Sequence, residues 1–177
     1  TQTADGPSGF ANCLKLDCTT ADTSIGATEQ CKIEYRMEGQ DVQQIKKGTS
    51  DAEKVTVSFY VKGNAAATYT CELVDEDNSR YVAQEFSVTT SWTKIVKTFV
   101  ADTTGAFNDD NAHSMSLNIW LHAGSSFTGG TFASNTVHTT ANQRVGDNQT
   151  SFFDSDARTF FITGVQLEVG SVATPFE

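Results

Sequence analysis

A chain of 177 residues that is 38% hydrophobic and carries twelve Phe, four Tyr and two Trp can bury one sizeable core, which excludes a disordered chain. Its 22 acidic against 12 basic residues give a formal charge of −10, with the basic residues scattered, which excludes the Lys/Arg stripe of a nucleic-acid surface and argues against an acidic membrane as partner. No run approaches the ~20 apolar residues of a membrane-spanning helix, and the opening Thr1-Gln2-Thr3-Ala4-Asp5-Gly6-Pro7 lacks the pattern of a signal peptide.

In chain order, strands are expected at about 10–18 and 29–37. Asp41-Val42-Gln43-Gln44-Ile45-Lys46-Lys47 offers a short helical turn, with Val42 and Ile45 three apart and Gly48 as a stop. Residues 54–62 alternate with period two and set Val55, Val57, Phe59 and Val61 on one face, which is therefore core. Strands follow at about 68–75, 80–89 and 93–100, the first turning Cys71 inward beside Tyr69 and Leu73.

The cleanest alternation runs from Met115 to His122, with Met115, Leu117, Ile119 and Leu121 inward and Ser116, Asn118, Trp120 and His122 on the opposite face. From 124 to 157 the chain turns polar and loses periodicity, yet it carries Phe127, Phe132, Val137, Phe152 and Phe153. Stranded apolar side chains of this kind are expected at a subunit contact. The last strand, about 158–169, is expected to set Phe161, Val165, Leu167 and Val169 on one face, with Gly164 at a bulge or a close backbone approach.

About eight to ten strands with almost no helix predict an all-β, antiparallel two-sheet β-sandwich of jelly-roll type. Residues 1–177 are read as a single domain of this kind, the C-terminal part of a longer chain. Cys13, Cys18, Cys31 and Cys71 form no Cys-x-x-Cys pair, and a domain of this size needs no staples, so free, partly buried thiols are expected.

Several segments together carry a family resemblance. Met37-Glu38-Gly39-Gln40-Asp41 is followed by Lys47-Gly48-Thr49-Ser50-Asp51-Ala52, then by Val57-Ser58-Phe59-Tyr60-Val61-Lys62, Ser91-Trp92-Thr93-Lys94 and Leu121-His122-Ala123-Gly124-Ser125. The chain closes on Phe160-Phe161-Ile162-Thr163-Gly164-Val165-Gln166-Leu167-Glu168-Val169-Gly170 and the tail Ser171 to Glu177. Over about 30–177 this order resembles the C-terminal jelly-roll domains of bacteriophage tail-fibre and virion-appendage proteins from viruses of marine bacteria and cyanobacteria, an architecture similar to that of carbohydrate-binding modules. Tyr60 stands where those domains usually have Trp, and the stretch after Gly130 lacks a Trp often found there.

The resemblance implies a non-enzymatic virion protein, assembled in the host cytoplasm, that presents a surface to a host receptor or glycan. It implies a homotrimer with other virion proteins as partners. Two alternatives stand beside it: a capsid-decoration or appendage-joining protein with a purely structural role, and a carbohydrate-binding module of a secreted bacterial enzyme.

No catalytic constellation emerges from the residues. Asp75-Glu76-Asp77, Asp109-Asp110 and Asp154-Ser155-Asp156 fall at expected turns, where carboxylates cap backbone N–H groups. His113, His122 and His138 lie too far apart for a local metal motif, so no metal ligands are assigned and no cofactor is expected beyond a structural calcium ion. A glycan would be bound by Trp120, His122, Asn118 and Tyr60, because sugars stack on aromatic planes while neighbouring polar groups take their hydroxyls. The plainer reading packs Trp120 and Tyr60 under a loop or a neighbouring subunit.

Overall fold

Period-two alternation of apolar and polar residues, clearest over 54–62 and 115–122, builds the sheets of this chain. In the computed structural model, which describes residues 1–177, the strands are β1 (Gln2–Thr3), β2 (Cys13–Asp17), β3 (Gln30–Glu38), β4 (Val55–Gly63), β5 (Ala67–Asp75), β6 (Arg80–Val88), β7 (Thr93–Phe99), β8 (His113–Ala123) and β9 (Thr159–Val169). They form two antiparallel sheets, ordered β1-β2-β9-β4-β7 and β3-β8-β5-β6. This is the expected jelly-roll sandwich. Helix is confined to α1 (Ser125–Thr128) and three 3-10 turns.

The inward faces meet as read from the pattern. Val57, Phe59 and Val61 of β4 are fully buried and share one cluster with Cys71, Leu117, Ile119 and Leu121 of the opposing sheet. Aromatic rings knit the two layers edge to face, Phe59 with Phe86 at 5.1 Å and Tyr69 with Phe160 at 5.5 Å. The turn expected near 41–47 is a pair of 3-10 turns, Gly39–Asp41 and Gln43–Ile45, which bury Val42 and Ile45 before Lys46 and Gly48 enter the left-handed region. All four cysteines are free, and burial raises the thiol pKa of Cys71.

Strand β9 is central, between β2 and β4, and Leu167 and Val169 stand opposite the inward Val57 and Val55 as expected, but Phe161 does not share their face. The register slips opposite Ser58 and Tyr60, so Ile162 and Leu167 both pair with inward residues while Phe161 pairs with Lys62 and Lys15 on the outer face. The cause is Gly164, at φ +59, where a Cβ would lie 2.7 Å from the ring of Phe10.

The segment 124–157 is not a stranded loop. Phe127 packs on Trp120 with ring centres 5.1 Å apart, Phe152 is buried, and Val137 and Phe153 pack against the core. Phe132 is half-buried. His138 exchanges both backbone hydrogen bonds with Tyr81 (2.8 and 3.0 Å), which lays the segment along the edge of β6. The chain itself buries Phe152 and partly covers Phe127, Phe132, Val137 and Phe153, so these side chains are not stranded in water.

Candidate functional site

The four residues singled out for ligand binding do not converge. Trp120 and Asn118 do face outward from β8, but the return of the chain through 141–149 roofs them, and both are fully buried. Beneath that roof Glu72 accepts hydrogen bonds from Trp120 Nε1 (2.7 Å) and Asn118 Nδ2 (3.0 Å) and pairs with Arg144 at 2.7 and 3.0 Å. The Arg144 guanidinium lies 4.3 Å from the Tyr81 ring centre and 5.3 Å from that of Trp120. No ligand reaches Trp120 or Asn118 in this arrangement. Tyr60 stands on the outer face of the other sheet, against Phe10 at 5.2 Å. Of the four, only His122 lines an open recess.

That recess, about 600 Å³, opens at the end of the sandwich where β8 finishes, and Thr20, Asp22, Ile25, Glu29, Gln30, His122 and Phe153 line it. The loop between β2 and β3 builds most of it, and local hydrogen bonds fix its shape. Asp22 Oδ1 accepts from the Ser24 N–H at 2.9 Å, and the Asp22 N–H donates to the Phe153 carbonyl at 2.9 Å. Glu29 Oε2 accepts from the Gly26 N–H at 2.7 Å, and the Glu29 carbonyl accepts from the Gly124 N–H at 2.8 Å. Gly124 is required here, since a Cβ would lie 2.3 Å from the Gly26 carbonyl oxygen.

His122 is only 6% exposed, and its Nε2 has no partner within the protein. Its ring lies 5.6 Å from that of Phe153. Burial lowers its pKa against the opposing pull of the Glu29 and Asp22 carboxylates, so the imidazole is held neutral, able to donate at one nitrogen and accept at the other. The recess therefore offers two fixed carboxylates, a neutral imidazole, an amide, a hydroxyl and one aromatic wall. Such a set has the chemistry to meet a polyhydroxylated molecule, since carboxylates accept from hydroxyls and an aromatic ring packs on an apolar face.

Thr20, Asp22, Glu29 and Gln30 were not anticipated from the sequence. The run Thr19-Thr20-Ala21-Asp22-Thr23-Ser24 marks a turn-rich loop, but only the fold brings it beside β8 and Phe153.

At the opposite end of the sandwich lies the densest charge cluster. Lys47 Nζ sits 2.5 Å from Asp75 and 3.1 Å from Asp102, and donates to the carbonyls of Thr104 (2.7 Å) and Gly105 (2.6 Å). Arg80 pairs with Asp102 at 2.6 and 2.9 Å. These oxygens, the kind of set a hard cation would need, are occupied by an ammonium ion.

A family described as "Carbohydrate binding domain" matches residues 5–121, which span β2 to most of β8. Among solved structures, the xylan-binding CBM22-1 domain of Paenibacillus barcinonensis Xyn10C aligns at 14% identity and a TM-score of 0.46, over 97% of this chain and 81% of that one. A CBM4 structure aligns at 12% identity and a TM-score of 0.42, over 89% of this chain and 70% of that one. No curated protein matches. The family match lies with carbohydrate binding, and nothing in it points to a virion protein.

Proposed function

The chain belongs to the carbohydrate binding domain family, and from that premise we propose that it is a non-catalytic glycan-binding module whose ligand enters the recess of His122. One observation carries this placement: an open recess of about 600 Å³ lined by two carboxylates, an amide and a hydroxyl, with the rings of Phe153 and His122 as its wall.

Binding rather than bond cleavage suits the two carboxylates. Asp22 and Glu29 each accept a backbone N–H of their own loop, which fixes them as acceptors for hydroxyl groups. The reading is compatible with a module carried by a secreted enzyme or with a virion appendage, and the family match supports the carbohydrate binding that the two settings share.

Calorimetric titration with a panel of neutral soluble polysaccharides tests it. At least one should bind, with His122→Ala and Phe153→Ala each weakening affinity about tenfold, roughly 1.4 kcal/mol. Asp109→Asn, at the far end of the molecule, should change nothing. Equal affinity in all four proteins would place binding elsewhere.

A further inference from the structure

We propose that two copies of this chain join through the free edge of β3, the two strands running antiparallel about a twofold axis at Tyr35. The proposal is independent of the glycan reading and of the His122 recess.

Strand β3 is the open edge of the four-stranded sheet. It pairs only with β8, and no loop hydrogen-bonds its backbone between residues 31 and 37. The opposite edge, β6, is covered where Tyr81 exchanges hydrogen bonds with His138 and the Ala83 carbonyl accepts from the Asn135 N–H at 2.8 Å. Exposed edges are commonly kept single by proline, by a charge pointing inward or by a bulge in the edge strand itself. Strand β3 has none of these: its nine residues lack proline, Ile33, Tyr35 and Met37 point inward, and at both irregularities of the pairing the extra residue lies on β8.

The outward positions specify the partner. Lys32, Glu34, Arg36 and Glu38 alternate in sign along one face, which Lys32 beside the Trp120 ring (5.3 Å) and Glu34 opposite Asn118 mark as the outer one. In an antiparallel pair centred on Tyr35, Lys32 stands opposite Glu38 of the second copy and Glu34 opposite its Arg36, each contact made twice by symmetry. Centring the pair on Glu34 would oppose Lys32 to Arg36, and centring it on Arg36 would oppose Glu34 to Glu38. The charges therefore select one register and one partner, a strand of the same sequence. Within the strand Glu34 lies 3.1 Å from Arg36 and 3.5 Å from Lys32, and the Arg36 side chain is 67% exposed, free to turn across the edge.

The inward positions supply the burial. Tyr35 is 63% exposed although it points inward, and beside it a groove of about 640 Å³ opens between the sheets, walled by Ile33, Met37, Leu14, Val165 and Leu167. Pairing sets the two Tyr35 side chains next to each other at the axis and Ile33 opposite Met37, which covers apolar surface that one copy leaves in water. The net charge of −10 on each copy opposes approach at long range. Salt screens that repulsion more than it weakens pairs in contact.

Sedimentation equilibrium of the full chain in about 0.15 M salt tests the contact. The chain should be monomeric at about 1 μM and mostly dimeric at about 1 mM. Arg36→Glu and Glu34→Arg should each weaken association about tenfold with unchanged circular dichroism, because either change opposes like charges at positions 34 and 36. Mixed in equal amounts, these two variants should form a dimer as tight as that of the unaltered chain, since every opposed pair is complementary again. Monomer throughout, a trimer, a dimer that survives either single change, or a mixture that associates no better than its components overturns the proposal.

Discussion

Arg144 and Glu72 are joined by two hydrogen bonds, 2.7 and 3.0 Å long, beneath a loop, and the carboxylate is fully buried. This ion pair fastens the segment 141–149 over the outer face of β8. Removing the guanidinium would leave a carboxylate buried with only neutral donors, so Arg144→Met should destabilise the fold by about 3 to 5 kcal/mol in denaturant unfolding. A loss under about 0.5 kcal/mol would mean that the roof contributes nothing.

The core phase read from β8 makes Leu117 a second probe. It is 3% exposed within the central cluster, and Leu117→Ala should cost about 2 to 5 kcal/mol through lost burial and the cavity left behind. A value typical of surface changes, below about 0.5 kcal/mol, would contradict the sandwich geometry.

Two histidines predict a stability change near neutrality. Burial is the leading cause of the lowered pKa of both His122 and His138. The unfolded chain therefore takes up protons first: stability is fully present above about pH 6.5 and falls as pH drops from there toward the folded values. NMR titration should place both imidazoles below 6.5, and His138→Gln should flatten the change. Titration of both at or above 6.5 would contradict the buried neutral state.

The Lys47 cluster predicts indifference to calcium. Because an ammonium fills the space among Asp75, Asp102 and two carbonyls, a chelator should leave the melting temperature unchanged. Lys47→Met should destabilise strongly by leaving the carboxylates facing one another. At the same cluster burial pushes the Asp102 carboxyl up, but hydrogen bonds from Arg80, the Thr104 N–H and Lys47 outweigh it and hold its pKa below the usual value. Its contribution is present above about pH 4 and is lost as pH falls through the lowered pKa. A drop in melting temperature on chelation would show that a metal, not Lys47, closes this end.

Much of the fold was legible because strands with one buried face must alternate: β4 and β8 declare their inward residues in the sequence alone. In β9 the bulge at Gly164 was legible, and its close approach to Phe10 is found, but strict alternation was carried across it, so Phe161 was set on the face of Leu167 and Val169. The binding face was misread for a different reason. Outward alternation of Trp120 and Asn118 was correct, but alternation says which face a side chain takes and nothing about what later covers it, here Arg144 and its loop. Likewise, Asp22 and Glu29 become neighbours of His122 only when the β2–β3 loop meets the end of the other sheet.

The central claim, that a glycan enters the His122 recess, is tested most directly by amide chemical-shift mapping of the labelled chain titrated with a neutral oligosaccharide taken from whichever polysaccharide binds. The account predicts saturable shifts concentrated in residues 20–30, at His122 and around Phe153. Shifts confined to another surface, with that loop and His122 unmoved at saturation, would contradict it.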